Sequence, residues 1–306
     1  MSTGARTASG RGSVRLAVDI GGTFTDVALE SDGRHITGKV LTTPSAPELG
    51  VLEGIDSVLG EAGRTPDDVA LIIHGTTLGT NAIIERKGAR TALIVTEGFR
   101  DSVEMAYENR FDQYDIAIHK PAPLVPRDLR FGVRERVAAD GEVLIPLDEP
   151  SVRALIESLD RAEVQSVAVA LLHAYRAPEH EQRVAEILHA ARPDLAITLS
   201  SEVCPEIREY ERMSTACANA YIQPLMARYL SQLDARLRSR GFGCPLLLMM
   251  SSGGLTTLDT ALRFPVRLVE SGPAGGAILA AEVAREIDAS EVLSFDMGGT
   301  TAKVCL

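Results

Sequence analysis

Asp19-Ile20-Gly21-Gly22-Thr23-Phe24-Thr25-Asp26 and, at the far end of the chain, Asp296-Met297-Gly298-Gly299-Thr300-Thr301-Ala302-Lys303 are two versions of one pattern. Each has a carboxylate closing a short apolar run, then two glycines and a threonine. Residues 15–19 read as a strand, Gly21 and Gly22 as a two-residue turn of the Gly-Gly type, and 24–29 as the returning strand. Adjacent glycines leave no side chain above the turn, so a phosphate can approach backbone N–H groups, with Thr23 and Thr25 adding hydroxyl donors. A carboxylate repels phosphate. Asp19 therefore reads either as a ligand of a phosphate-bound Mg²⁺ or its waters, or as a simple cap of the turn. The second copy favours the first reading: two facing phosphate loops, with ATP as the leading ligand. Asp296, Gly298, Gly299 and Thr300 repeat Asp19, Gly21, Gly22 and Thr23, whereas Ala302 and Lys303 stand where the first copy has Thr25 and Asp26. Lys303 would pair with nucleotide charge or be an ordinary solvated strand lysine.

The 306 residues, 45% hydrophobic and 24% charged, suffice for a sizeable core and about two domains. A formal net charge of -11 without a long basic run argues against nucleic-acid and anionic-membrane partners. Cys204, Cys217, Cys244 and Cys305 form no C-x-x-C pair, so neither a disulfide framework nor a zinc site is expected. Residues 1–13 lack an apolar core and read as a disordered leader, no stretch approaches the roughly 20 apolar residues of a membrane span, and a cytoplasmic location follows.

Between the two loops strand and helix signals alternate, the mark of an α/β layer architecture with much parallel sheet. A third strand is expected at 35–41, then a helix ending near Leu59 with Ser45 and Glu48 as its capping box. Next come a strand at 69–73, a helix at 77–87 stopped by Gly88 and a strand at 91–95. A small hairpin joining 130–137 to 142–145 is expected around Asp140 and Gly141. Helices at 150–159 and 178–190 alternate with strands at 166–171 and 196–200. The longest helical signal, 209–238, is expected to break near Pro224 and to open a second domain that continues through a strand at 246–251, a helix at 274–287 and a strand at 292–296.

The chain resembles the A subunit of the hydantoinase/oxoprolinase family, whose relatives are ATP-dependent N-methylhydantoinase, 5-oxoprolinase and ketone carboxylase β-type subunits. The resemblance runs over 14–306. It rests on R-L-A-V-D-I-G-G-T-F-T-D at 15–26, H-G-T-T at 74–77 with the following T-N-A and E-R-K-G, T-E-G-F-R-D at 96–101, S-S-G-G at 251–254, E-S-G-P-A-G-G at 270–276 and F-D-M-G-G-T-T at 295–301. It implies an actin-like ATPase fold of the sugar-kinase, Hsp70 and actin type, the first domain complete at 14–205 and the second, 206–306, cut short. Carried over motif by motif, Gly21, Gly22, Thr23 and Thr25 form the first phosphate loop, Gly298, Gly299, Thr300 and Thr301 the second, and Asp19 and Asp296 lie at the metal. His74, Gly75, Thr76 and Thr77 sit between a strand end and a helix start, where free N–H groups suit an anion or a substrate carbonyl, and His74 is the catalytic candidate. Thr76 or Thr77 as a plain N-cap is the competing reading, and Asn81 on the following helix either touches substrate or holds the helix. Gly272, Gly275 and Gly276 open another helix and imply close packing or ligand approach.

The implied chemistry is phosphoryl activation of a cyclic amide such as a hydantoin or 5-oxoproline, for which the protein supplies positioning and charge stabilisation. ATP, Mg²⁺ and a B-type subunit or domain complete the expectation. ATP-dependent ketone carboxylation uses the same clamp. The end at Leu306, directly after the second loop, reads as the front of a longer chain, silent alone or reliant on a missing C-terminal half.

Overall fold

The computed structural model describes residues 14–107, 112, 114–297 and 302–305. The chain opens with β1 (Val14–Ile20), β2 (Phe24–Ser31) and β3 (Arg34–Leu41), antiparallel in sequence order. In β1 the alternation is strict: Val14, Leu16, Val18 and Ile20 point into the core, while Arg15, Ala17 and Asp19 face the other way. Helix α1 (Pro47–Ala62) follows, then β4 (Val69–Thr76), which returns parallel to β1, and α2 (Leu78–Ile84). The capping box expected at Ser45 does not form. Pro47 occupies the first turn of α1 behind Ala46, and Glu48 is buried and paired with Arg236 instead.

Next come β5 (Thr91–Thr96), α3 (Ser102–Met105), β6 (Arg130–Val133), β7 (Arg136–Val137), β8 (Val143–Ile145) and α4 (Glu149–Arg161). They are followed by β9 (Ser166–Ala170), α5 (Glu179–Ala191), β10 (Ala196–Leu199), α6 (Ser200–Val203) and α7 (Glu209–Ser239). The expected 130–137 hairpin divides in two. Arg130 to Val133 join β5 in parallel, and only Arg136 and Val137 pair with β8. Strands β10-β9-β5-β6 make a wholly parallel sheet whose central strands are buried at every position, as crossover connections require. Helix α7 runs unbroken through Pro224. The backbone bond that proline removes is offset by buried side chains on either side of it, among them Ala220, Ile222, Met226, Leu230 and Leu233.

The chain ends with β11 (Leu246–Met249), β12 (Leu255–Thr257), α8 (Leu258–Arg263), α9 (Ser271–Glu286) and the antiparallel pair β13 (Ser294–Met297) and β14 (Ala302–Cys305). Two compact units result: Met1–Asn81 with Met226–Leu306, and Ala82–Leu225. The first holds the six-stranded sheet β12-β11-β4-β1-β2-β3, in which β11 lies parallel to β4. The second holds the parallel sheet. Among the described residues no helix is long and apolar enough to cross a membrane, and the four cysteines are free thiols.

Candidate functional site

The first hairpin places Asp19 opposite Asp26 on β2 and beside Gly75 on β4. Its connection is 21–23, three residues rather than the expected two, and neither Gly21 nor Gly22 takes a positive φ. Space accounts for Gly21, whereas a side chain at Gly22 would make only ordinary contact. A Cβ on Gly21 would stand 3.1 Å from the Phe24 carbonyl oxygen, and one on Gly22 would stand 3.5 Å from Asn81 Nδ2. The Gly21 N–H is consumed by the turn, donating to the Phe24 oxygen at 2.9 Å. Among the described residues the N–H groups of Gly22 and Thr23 have no partner, so these two offer the loop's open donors. Thr25 is not one of the loop's free hydroxyls. It is fully buried and bonded to Thr42, which in turn donates to the Gly21 carbonyl oxygen and fastens the hairpin to the end of β3.

The H-G-T-T segment divides by strand parity. Gly75 shares the face of Asp19; His74 shares the face of Val18 and lies in the core. His74 Nδ1 meets the Val18 carbonyl oxygen at 3.2 Å and Nε2 meets the Tyr229 hydroxyl at 2.7 Å, so both ring nitrogens are engaged. With Nδ1–H donating to the carbonyl, Nε2 accepts from the phenol. Burial pushes the imidazole down to about 4, and it stays neutral. The catalytic expectation for His74 is therefore corrected: the residue braces the sheet against α7. Thr76 is buried and caps the next helix by accepting from Leu78 N at 3.2 Å. Thr77 donates its hydroxyl to the Ile20 carbonyl oxygen at 3.1 Å, and Asn81 donates to Thr77 at 3.3 Å. Thr77 and Asn81 thus buttress the first hairpin from below.

Asp19 stands on the floor of a cavity of about 490 Å³ that β1, β2 and β4 share with the first turns of α9. Withdrawal of its carboxyl from water, and then the charges of Asp26 and Asp296, push its pKa up, while Lys303 pulls the other way. The charges of Asp296 and Lys303 thus reach Asp19. Lys303 Nζ also pairs with Glu270 at 3.2 Å, and Glu270, at φ 64, donates its N–H to Thr80. Gly298, Gly299, Thr300 and Thr301 lie outside the described residues; β13 and β14 on either side of them pair as the repeat requires. A Cβ on Gly272, Gly275 or Gly276 would meet nothing within 4 Å, so tight packing does not explain these glycines; all three line the cavity. Ser271 beside them is buried, and its hydroxyl has no partner among the described residues.

Among the described glycines, Gly75 is the one whose missing side chain leaves room for the acid itself. A Cβ there would stand 2.9 Å from Asp19 Oδ1. Gly75→Ala is expected to push that carboxylate aside and lower nucleotide turnover of the complete enzyme about tenfold or more, with the thermal midpoint shifted by only a few degrees. Unchanged turnover would show that the position of Asp19 is not critical.

The model of the hydantoinase/oxoprolinase N-terminal region matches residues 15–191, and that of the hydantoinase/oxoprolinase region matches 212–306. The chain belongs to the hydantoinase/oxoprolinase family. Within it, the chain is 36% identical over 299 residues to caprolactamase subunit alpha of Pseudomonas jessenii, covering 95% of this chain and 43% of that one. The crystal structure of the ATP-dependent caprolactamase from that organism superposes with a TM-score of 0.84. A nucleotide-free acetone carboxylase structure, 28% identical and covering 96% of this chain and 44% of that one, superposes with 0.87. 5-Oxoprolinase 1 of Arabidopsis thaliana is 32% identical over 325 residues, covering 96% of this chain and 25% of its own. The fold is accordingly of the actin-like ATPase type, and the chain spans less than half the length of these relatives.

The strands flanking both acidic motifs were readable from sequence; the partners of His74 and Thr25 were not. Ser271 had only the glycine-rich motif around it as a signal.

Proposed function

We propose that this chain forms the phosphate-gripping part of an ATP-dependent enzyme that opens a cyclic amide of the hydantoin or 5-oxoproline type. The carrying observation is Asp19 on a glycine-lined cavity, where the charges of Asp26 and Asp296 act on it and a cation would offset their repulsion. An oxygen-rich, negatively unbalanced pair fits Mg²⁺, which Asp19 and Asp296 would hold directly or through water. The unpartnered N–H groups of Gly22 and Thr23 fit phosphate oxygens. ATP would supply a phosphoryl group to the amide oxygen, turning an unreactive carbonyl into one that water can open. The chain's own part is orientation: Thr77 and Asn81 hold the first turn in place, Gly75 leaves room for the acid, and Lys303 balances charge beside it.

The relatives' names support the reading, because a caprolactamase and a 5-oxoprolinase both act on cyclic amides. The designation of the caprolactamase relative as a subunit alpha supports a B-type partner, and the relatives' greater length supports further polypeptide. Free thiols and ATP dependence suit the cytoplasm. The test is turnover of a cyclic amide by the complete assembled enzyme with and without ATP; equal rates would end the proposal. The acetone carboxylase superposition supports ketone carboxylation as the second reading, and ATP consumption that requires bicarbonate and a ketone would select it.

A further inference from the structure

The second unit holds a cavity of its own, of about 450 Å³, a size at which proteins commonly bind small molecules. Helix α7 presents Tyr210, Ser214 and Cys217 to it, at the i, i+4, i+7 spacing that puts three side chains on one stripe. The rest of the lining comes from α3, the two residues that follow it, and the run 120–125. Val103 and Val125 are buried, and the Tyr107 and Tyr210 rings meet edge-on with their centres 5.0 Å apart. Burial pushes the Cys217 thiol up to about 12, so at neutral pH it adds an uncharged, largely apolar surface.

This lining is fastened in place. Lys120 Nζ donates to the Met105 carbonyl oxygen at 2.9 Å, and Arg86 donates to the carbonyl oxygens of Ala122 and Pro123 at 2.5 and 3.2 Å. The buried Arg130 donates to the Val125 oxygen at 2.9 Å and to Glu104 Oε2 at 2.8 Å, and Tyr107 gives its hydroxyl to Glu211. The run 120–125 is thus held by three cations through its own and neighbouring carbonyls, which gives the cavity a defined wall.

Its charge is balanced. The two charged residues of the lining, Glu104 and Lys120, are of opposite sign. An anion drawn to Lys120 would meet Glu104 in the same cavity, and a cation drawn to Glu104 would meet Lys120 and find the carboxylate already held by Arg130. A charged ligand would surrender hydration here without gaining a free counter-ion. What stays open is neutral: the hydroxyls of Ser214 and Tyr210 have no hydrogen-bond partner among the described residues.

We propose that this cavity binds an uncharged compound built on one small ring, its body against Tyr107, Tyr210 and Cys217 and its polar group on the Ser214 or Tyr210 hydroxyl. A ring offers a flat apolar face to the tyrosines and loses little conformational freedom on entry, which suits a wall that is itself fixed. The inference concerns binding within the second unit and does not rest on the ATP chemistry proposed above.

The test labels the full chain with 3-fluorotyrosine and follows it by ¹⁹F NMR at constant ionic strength. The titrants are ε-caprolactam, cyclohexanecarboxylate and cyclohexylammonium, rings of similar size that are neutral, anionic and cationic. The Tyr107 and Tyr210 resonances, identified by their loss in Tyr107→Phe and Tyr210→Phe, are expected to move saturably with ε-caprolactam, and the charged rings to bind about tenfold more weakly or worse. Ser214→Leu fills the cavity from a helix position that leucine suits and should weaken the binding about tenfold or more. Ala122→Leu fills it from the 120–125 run and decides the matter should Ser214→Leu unfold. Linear drift of the tyrosines, a charged ring bound as tightly as the neutral one, or wild-type binding in the folded variants would overturn the proposal.

Discussion

Asp19→Asn is expected to lower ATP turnover of the complete enzyme by a factor of about 10²–10³, the scale of losing one electrostatic contact to a transferring group. The thermal midpoint should not fall. The same facts produce both results. Asp19 loses part of its hydration in the cavity and feels the charges of Asp26 and Asp296, so the fold disfavours its negative charge, and a neutral amide of the same shape relieves that repulsion. Function needs the charge, for a cation bridging to phosphate. Asp296→Asn, on the facing strand end, should lower turnover by similar orders of magnitude. Kinetics and calorimetry on one preparation of each variant check the pair of outcomes; wild-type turnover in both variants would remove these acids from the chemistry.

Acid should destabilise the first unit through His74. The imidazole has an ordinary value of 6.5 and is held down to about 4 in the fold. Between those values the unfolded chain takes up a proton that the folded chain refuses. The contribution of His74 is complete above pH 6.5, declines as pH falls toward 4 and loses nothing further below it. Over that window it amounts to about 3 kcal/mol, at about 1.4 kcal/mol for each pH unit. Urea unfolding followed from pH 7 to pH 4 should show this slope, and His74→Gln should flatten it. Identical slopes in the two proteins would contradict the assignment. Tyr229→Phe leaves His74 Nε2 unpartnered in the core and should cost about 1–3 kcal/mol at neutral pH.

How far the chain could be read follows from how local each cause is. The alternation of β1, the acid at its end and the repeated glycines are neighbours in sequence, and the hairpins and the α/β alternation were legible from them. Where a distant partner decides, local pattern misled. Glu48 has the spacing of a capping residue but is taken by Arg236, and Pro224 should break α7 but for the apolar side chains buried on both sides of it. His74 lies 155 positions from the hydroxyl that makes it structural, and no spacing rule joins them. Arg130 looks like part of a hairpin with 142–145 until β5 claims it. In the candidate site, Asp19, Asp296 and Lys303 stand out in the sequence by residue type and by their place in the repeat. The neutral, braced state of His74 and the hydroxyl chain through Thr25 and Thr42 depend on packing alone.

Because a Cβ at Gly75 would stand 2.9 Å from Asp19 Oδ1, two positions 56 residues apart should behave as a single heritable character. A lineage that acquires a side chain at the second has already lost the use of the first, and selection on the acid then lapses. Across the family, a residue larger than glycine at the position of Gly75 should mark chains released from nucleotide chemistry, and the acid should be seen to drift only in those.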